Sequence, residues 1–184
     1  WTEDANDVEV SGGVLRPTAT VLAGAACDTA YATDKHEHLC TWTAANVAAN
    51  NRGEVWVRYD GGFAAATEDG YVAQGIRNTG GATRELQKWV AGVLTTLQTD
   101  TTDPGSPVTL GARAIGSTIQ AIFGGTTFTQ TDTSVTGFTL TRVAMRASAA
   151  GNSVMDNHNM KDLEGVGAGL FGPVPLRTIL GVGQ

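Results

Sequence analysis

The stretch Ala82-Thr83-Arg84-Glu85-Leu86-Gln87-Lys88-Trp89-Val90-Ala91-Gly92-Val93-Leu94-Thr95-Thr96-Leu97-Gln98 decides the fold class. Leu86, Trp89, Val90, Val93, Leu94 and Leu97 fall at i, i+3, i+4, i+7, i+8 and i+11, one stripe of a 3.6-residue helix. Thr83 is placed to cap the first turn, and Glu85 sits where the helix dipole favours a carboxylate. Arg84, Gln87, Lys88, Ala91, Thr95 and Gln98 take the other side. The spacing predicts an amphipathic helix over Ala82–Gln98, lying on a sheet and ended by the polar run Thr99–Pro107.

Upstream the period becomes two. Glu54–Tyr59 alternates, with Val55, Val57 and Tyr59 on one face and Glu54, Trp56 and Arg58 on the other. The turns Asp60-Gly61-Gly62 and Glu68-Asp69-Gly70 separate this strand from Phe63–Thr67 and Tyr71–Arg77, an antiparallel meander of three strands. Nearer the start, Val8–Val10 and Val14–Arg16 flank Ser11-Gly12-Gly13 as a hairpin, behind an acidic arm Trp1–Asp7. Trp42–Asn50 reads as a short Ala-rich helix. Beyond Pro107, Ile115, Ile119 and Ile122 would share a helical face. The Gly124-Gly125 pair and the density of Thr favour strands instead: Ser117–Phe123, Thr126–Gln130 and Val135–Arg146, a second meander.

The chain has 184 residues, one domain's worth, and a domain of that size hides roughly 70% of its unfolded surface without staples. Apolar residues are 41% and charged ones 16%, which excludes a disordered acidic chain and a coiled coil. Net charge is −6, and the cations are three lysines (Lys35, Lys88, Lys161) and nine scattered arginines. Nothing there displaces counterions from phosphates, so free nucleic acid is not an expected partner. Uncharged stretches such as Thr18–Cys27 fall short of a membrane span, and no membrane insertion is expected. With Trp1 and not Met first, the expectation is a chain processed or continued upstream.

Residues 165–184 differ from the rest, with six glycines, two prolines and the single charge of Arg177. The expected organisation is one β-rich domain over residues 1–164 and a Gly-rich apolar arm over 165–184. The expected fold is α+β: an antiparallel β sandwich or small barrel, one amphipathic helix packed on it, and extended terminal arms.

Few residues suggest chemistry. In Asp34-Lys35-His36-Glu37-His38-Leu39-Cys40 an extended chain puts Asp34, His36, His38 and Cys40 on one face, so His36 and His38 are candidate zinc or copper ligands. The alternative is a solvated loop beside a disulfide. A Cys27–Cys40 bridge would close a loop of about 14 residues and stabilise by about 3 kcal/mol; two buried thiols are the other reading. His158 could join His36 and His38 or act as a base beside Asp156, although Asp156-Asn157-His158-Asn159 also suits a turn. No Gly-x-Ser-x-Gly elbow is present, and none of Glu37, Glu54, Asp60, Glu68 and Asp69 stands out as a glycosidase pair. Gly80-Gly81-Ala82-Thr83 is better explained as a turn than as a phosphate cradle. No catalytic residue and no cofactor are assigned, and an enzyme is not expected.

Extended ends, Thr-rich hairpins and the lack of an evident active site resemble, in overall character, phage tail-tube, capsid-associated and filament subunits. That likeness implies a structural protein of a virus particle or extracellular filament. Its partners would be copies of itself and other proteins of the particle, docked through Phe171, Leu176, Ile179 and Leu180 of the C-terminal arm. Two alternatives are a secreted metal-binding protein or enzyme using His36 and His38, and a carbohydrate-binding sandwich. The latter would use Trp42, Trp56 or Tyr59 as a stacking platform, although alternation assigns those rings to buried faces.

Overall fold

The structure is a computed structural model and describes residues 2–3, 8–11, 14–18, 23–27, 30–44, 51–60, 67–78, 80–146 and 153–163. Every regular element among them is a strand. In chain order these are β1 (Thr2–Glu3), β2 (Val8–Ser11), β3 (Val14–Pro17), β4 (Ala23–Ala26), β5 (His36–Ala44), β6 (Asn51–Tyr59) and β7 (Gly70–Asn78). They continue as β8 (Gly81–Val90), β9 (Val93–Asp100), β10 (Val108–Ile115), β11 (Thr118–Phe123), β12 (Thr126–Thr131), β13 (Leu140–Arg146) and β14 (Ser153–Asp162). Two seven-stranded antiparallel sheets result: a front sheet ordered β1-β4-β13-β6-β7-β8-β9 and a back sheet ordered β12-β11-β10-β5-β14-β3-β2.

The sheets face each other across one core. Alternate residues of β6, β7 and β8 (Val55, Val57, Tyr71, Ala73, Leu86) meet those of β5, β10 and β11 (Cys40, Trp42, Leu110, Ala112, Ile119, Ala121). Trp42 is the largest piece. Its indole lies over Gly53 and Gly75 of the front sheet, where a Cβ would stand 2.7 and 2.9 Å from the ring. Its Nε1–H donates to Ser153 Oγ at 2.8 Å, so the buried donor is satisfied.

The expected α+β class is overturned, because no helix exists to pack on the sandwich. Ala82–Gln98 is the β8–β9 hairpin, which turns at Ala91 (φ 48°) and Gly92 (φ 72°) and pairs Val90 with Val93 and Trp89 with Leu94. Two successive positive φ angles are the tight hairpin turn whose twist matches the flanking strands. A register shift leaves Leu97 unmatched between the Leu86–Gln98 and Gln87–Thr96 pairs, and Leu97 packs on the core. The apolar spacing of 3 and 4 that mimicked a helix is thus two alternating strands read through a turn.

Other elements shift in smaller ways. Trp42–Ala44 continues β5 as strand and not as a helix, while residues 45–50 lie outside the described set. In the first meander β8 follows β7, and residues 63–66 of the expected Phe63–Thr67 strand are also outside it. The region around Ile115 and Ile119 is β10 and β11, joined at Gly116 (φ 57°), as the strand reading holds. β13 does not continue that meander but crosses to the front sheet. In β6, Val57 and Arg58 (φ 51°) together face Thr141, a bulge that turns Arg58 back between the sheets and sends Tyr59 outward onto Trp56. The alternation expected for Arg58 and Tyr59 is therefore exchanged.

Candidate functional site

The outer face of the front sheet is where a sandwich would ordinarily meet water, yet here it holds a connected polar and aromatic layer. Arg52, Glu54 and Trp56 alternate along β6, Val72 and Gln74 along β7, and Glu85, Gln87 and Trp89 along β8. The register sets them in rows: Glu54 beside Gln74 beside Glu85, and Arg142 beside Trp56 beside Val72 beside Gln87. Hydrogen bonds run across the rows. Trp56 Nε1 donates to Glu54 Oε2 at 3.0 Å, and Gln74 Nε2 donates to Glu54 Oε1 at 2.9 Å. Arg52 pairs with the same Oε1. Gln74 and Gln87 exchange donors at 3.3 and 3.4 Å, and Gln87 Nε2 also reaches Glu85.

The base of this layer is closed and its rim is open. Glu54, Gln74 and Gln87 are 1%, 2% and 2% exposed, whereas Arg52, Glu85 and Trp89 are half-buried. Trp89 tilts against Trp56 with ring centroids 5.9 Å apart, and its indole N–H has no hydrogen-bond partner. At the other side Arg142 lies over Trp56 and Tyr59, 5.2 and 5.4 Å from their centroids, and donates to Glu68 Oε1 at 2.6 Å. Burial pushes the Glu68 carboxyl above its ordinary value, and the Arg142 charge opposes that shift. Gly24 makes room, since a Cβ there would stand 2.9 Å from Arg142 Nε.

Both carboxylate oxygens of Glu54 are engaged within the layer, Oε2 by Trp56 and Oε1 by Gln74 and Arg52. Glu85 keeps acceptor capacity toward the rim. At its open rim the face presents the Glu85 carboxylate, the Arg52 guanidinium and part of the Trp89 indole, groups that bond hydroxyls and stack on a ring's C–H face.

The histidines form a second cluster at the heart of the back sheet. His36 and His38 are fully buried on β5. His36 stacks on Tyr31 at 4.6 Å, and its Nε2 accepts the Arg58 backbone N–H at 3.0 Å. His38 Nε2 stands 3.0 Å from Nδ1 of His158, which a bulge in β14 presents opposite Cys40. Burial pulls His36 and His158 each down to about 4, and pulls His38 well below its ordinary value. The structure thus joins His38 to His158 and ties His36 to Arg58. Among the described residues no group of three or more His, Cys, Asp or Glu side chains is placed to hold a metal ion.

Cys27 and Cys40 are not bonded to each other: Cys27 follows β4 of the front sheet, while Cys40 points from β5 into the core, where burial pushes its thiol up. Trp42, Trp56 and Tyr59, the expected stacking rings, are buried at 0%, 2% and 0% exposure. Phe171, Leu176, Ile179 and Leu180 lie outside the described residues. The helix reading hid Glu85, Gln87 and Trp89, and Gln74 carried no signal of its own. The clue to the first three is that Arg52-x-Glu54-x-Trp56 and Glu85-x-Gln87-x-Trp89 share the two-residue spacing of one strand face.

No protein-family model matches the sequence, and neither does any curated protein. Solved structures do share the architecture. The carbohydrate-binding module CBM66 from Bacillus subtilis superposes with a TM-score of 0.66 at 13% identity, over 88% of this chain and 94% of that one. A Bacillus licheniformis β-glucanase gives 0.56 at 12% identity, over 82% of each chain. The CBM2 module of the Dit protein of Lactobacillus casei BL23 phage J-1 (an evolved Dit) gives 0.59 at 8% identity, over 85% and 79%. The chain therefore has a β-sandwich fold shared with carbohydrate-binding and lectin-like modules; at these identities the likeness concerns the fold.

Proposed function

We propose that this chain is a non-catalytic carbohydrate-binding sandwich that holds a neutral glycan on the outer face of β6, β7 and β8. The observation that carries the reading is the hydrogen-bonded row Trp56–Glu54–Gln74–Gln87–Glu85, beside which half-buried Trp89 tilts against Trp56. A neutral ligand suits the charge of the face. Arg52 is paired with Glu54 and Arg142 with Glu68, and Glu85 adds a further negative charge that would repel a uronate or sialate. The fold neighbours support the class, and a module of this kind meets polymeric glycans outside cells or on a virus particle.

Titration of the purified chain with soluble neutral polysaccharides, followed by calorimetry, tests the reading. Trp89→Ala and Glu85→Gln should each weaken binding about tenfold while circular dichroism and melting stay near wild type. Absence of binding to every neutral glycan, or equal affinity in both variants, rejects it. Release of reducing ends would replace binding by hydrolysis.

A second reading, a self-assembling subunit of a virus particle or filament, draws support from the phage module among the fold neighbours. Native mass with negative-stain microscopy of the same sample tests it. Rings, shells or fibres support the subunit reading, and a small discrete species argues against it.

A further inference from the structure

We infer that β9 is an open sheet edge through which two copies of this chain pair, strand against strand. β9 closes the front sheet, and among the described residues its backbone ladder runs only to β8. In an antiparallel ladder the bonding direction alternates. Val90 and Val93 close the tight turn and face each other, so Leu94 and Thr96 direct their N–H and C=O groups away from β8. These groups form a template for another strand.

Edges that must stay single carry lysine, proline or an inward charge. Val93-Leu94-Thr95-Thr96-Leu97-Gln98-Thr99 has none of these, and its one irregularity, at Leu97, follows the Leu94–Thr96 segment. Val93 is 66% exposed and Leu94 44%, apolar surface left at the edge. The charge pattern also selects the occupant. When a strand pairs antiparallel with its own copy, residues near the twofold axis meet their counterparts, and a charge there would repel itself. Seven successive uncharged residues remove that penalty, and Thr95 and Thr96 make favourable like-with-like pairs.

The second layer agrees. β12 is the edge of the back sheet on this same side, tied to β9 by Gln130 Nε2 donating to Gln98 Oε1 at 3.1 Å, and Thr126–Thr131 is likewise uncharged. A twofold axis perpendicular to the sheets would continue both layers at once. The opposite edges, β1 and β2, carry Glu3 and Glu9.

Sedimentation equilibrium of the full chain decides the matter. Wild type should approach twice the 19.0 kDa chain mass as concentration rises. Thr96→Lys and Leu94→Lys should sediment as monomers with unchanged melting, while Glu9→Lys on the far edge should still pair. Amide exchange in β9 should slow with concentration in wild type alone. A wild-type monomer up to ~100 µM, or dimers of Thr96→Lys with unprotected β9 amides, would overturn the proposal.

Discussion

Trp42 owes its position to two residues without side chains. Gly53 and Gly75 lie under its indole so closely that a methyl on either must displace the ring. Gly53→Ala should cost about 1–3 kcal/mol, read as a lower urea midpoint at unchanged slope. The three histidines give the residue scale a pH dependence. Folded, His36 and His158 are held near 4 against 6.5 when unfolded, and His38 also lies well below 6.5. Between those values the unfolded chain binds more protons than the folded one. Stability is then full above pH 6.5 and lost as pH falls toward 4, by up to about 1.4 kcal/mol per pH unit for each histidine. Urea midpoints should drop between pH 7 and pH 5, and His158→Gln should flatten that drop; equal midpoints would refute the assignment. Sequence shows three histidines but not their neutrality, which depends on the β14 bulge that aims His158 at His38. Arg58 is similar: its left-handed φ lets it donate to Asp34, Val135 and Gly116 carbonyls, and nothing local in the sequence announces that.

At the scale of elements, the β8–β9 hairpin marks where legibility failed. The apolar positions Leu86, Trp89, Val90, Val93, Leu94 and Leu97 fit one helical stripe as well as two strands around a turn, so the apolar pattern alone does not separate them. Two signals within the segment do. Gly92 costs a helix about 1 kcal/mol relative to alanine, and Val93, Thr95 and Thr96 are β-branched. Strands such as β6, β7, β11 and the β2–β3 hairpin are legible because each is a short run with β-branched or aromatic residues and an obvious turn beside it. The turn itself is open to improvement. Ala91 holds φ 48°, a region where asparagine is far better tolerated, and its N–H already bonds to Asp69 Oδ1 at 2.6 Å. Ala91→Asn should therefore raise stability by about 0.5–1 kcal/mol, and a lower melting temperature would contradict the hairpin geometry.

For the molecule as a whole, the sequence conveys a Thr- and Gly-rich antiparallel sandwich, but not which strands share a sheet. That choice rests on contacts between distant segments, as when β13 crosses to lie between β4 and β6. The candidate glycan face is hidden for the same reason, since Arg142, Trp56, Gln87 and Glu85 become neighbours only through the register. The last prediction concerns where the folded unit stops. β14 runs between β5 and β3, well inside the back sheet, and just past it Leu163 N–H donates to the Lys35 carbonyl at 2.7 Å. A chain ending at Glu164 retains every one of these ladders, so it should unfold cooperatively with a midpoint near that of the full chain. Its native mass then separates two modes of association. If Phe171, Leu176, Ile179 and Leu180 join subunits, removing residues 165–184 should reduce any larger assembly to the pair formed through β9. If the assembly survives truncation, the arm is not the joint. If the truncated chain fails to unfold cooperatively, those twenty residues belong to the fold, and the boundary at 164 is wrong.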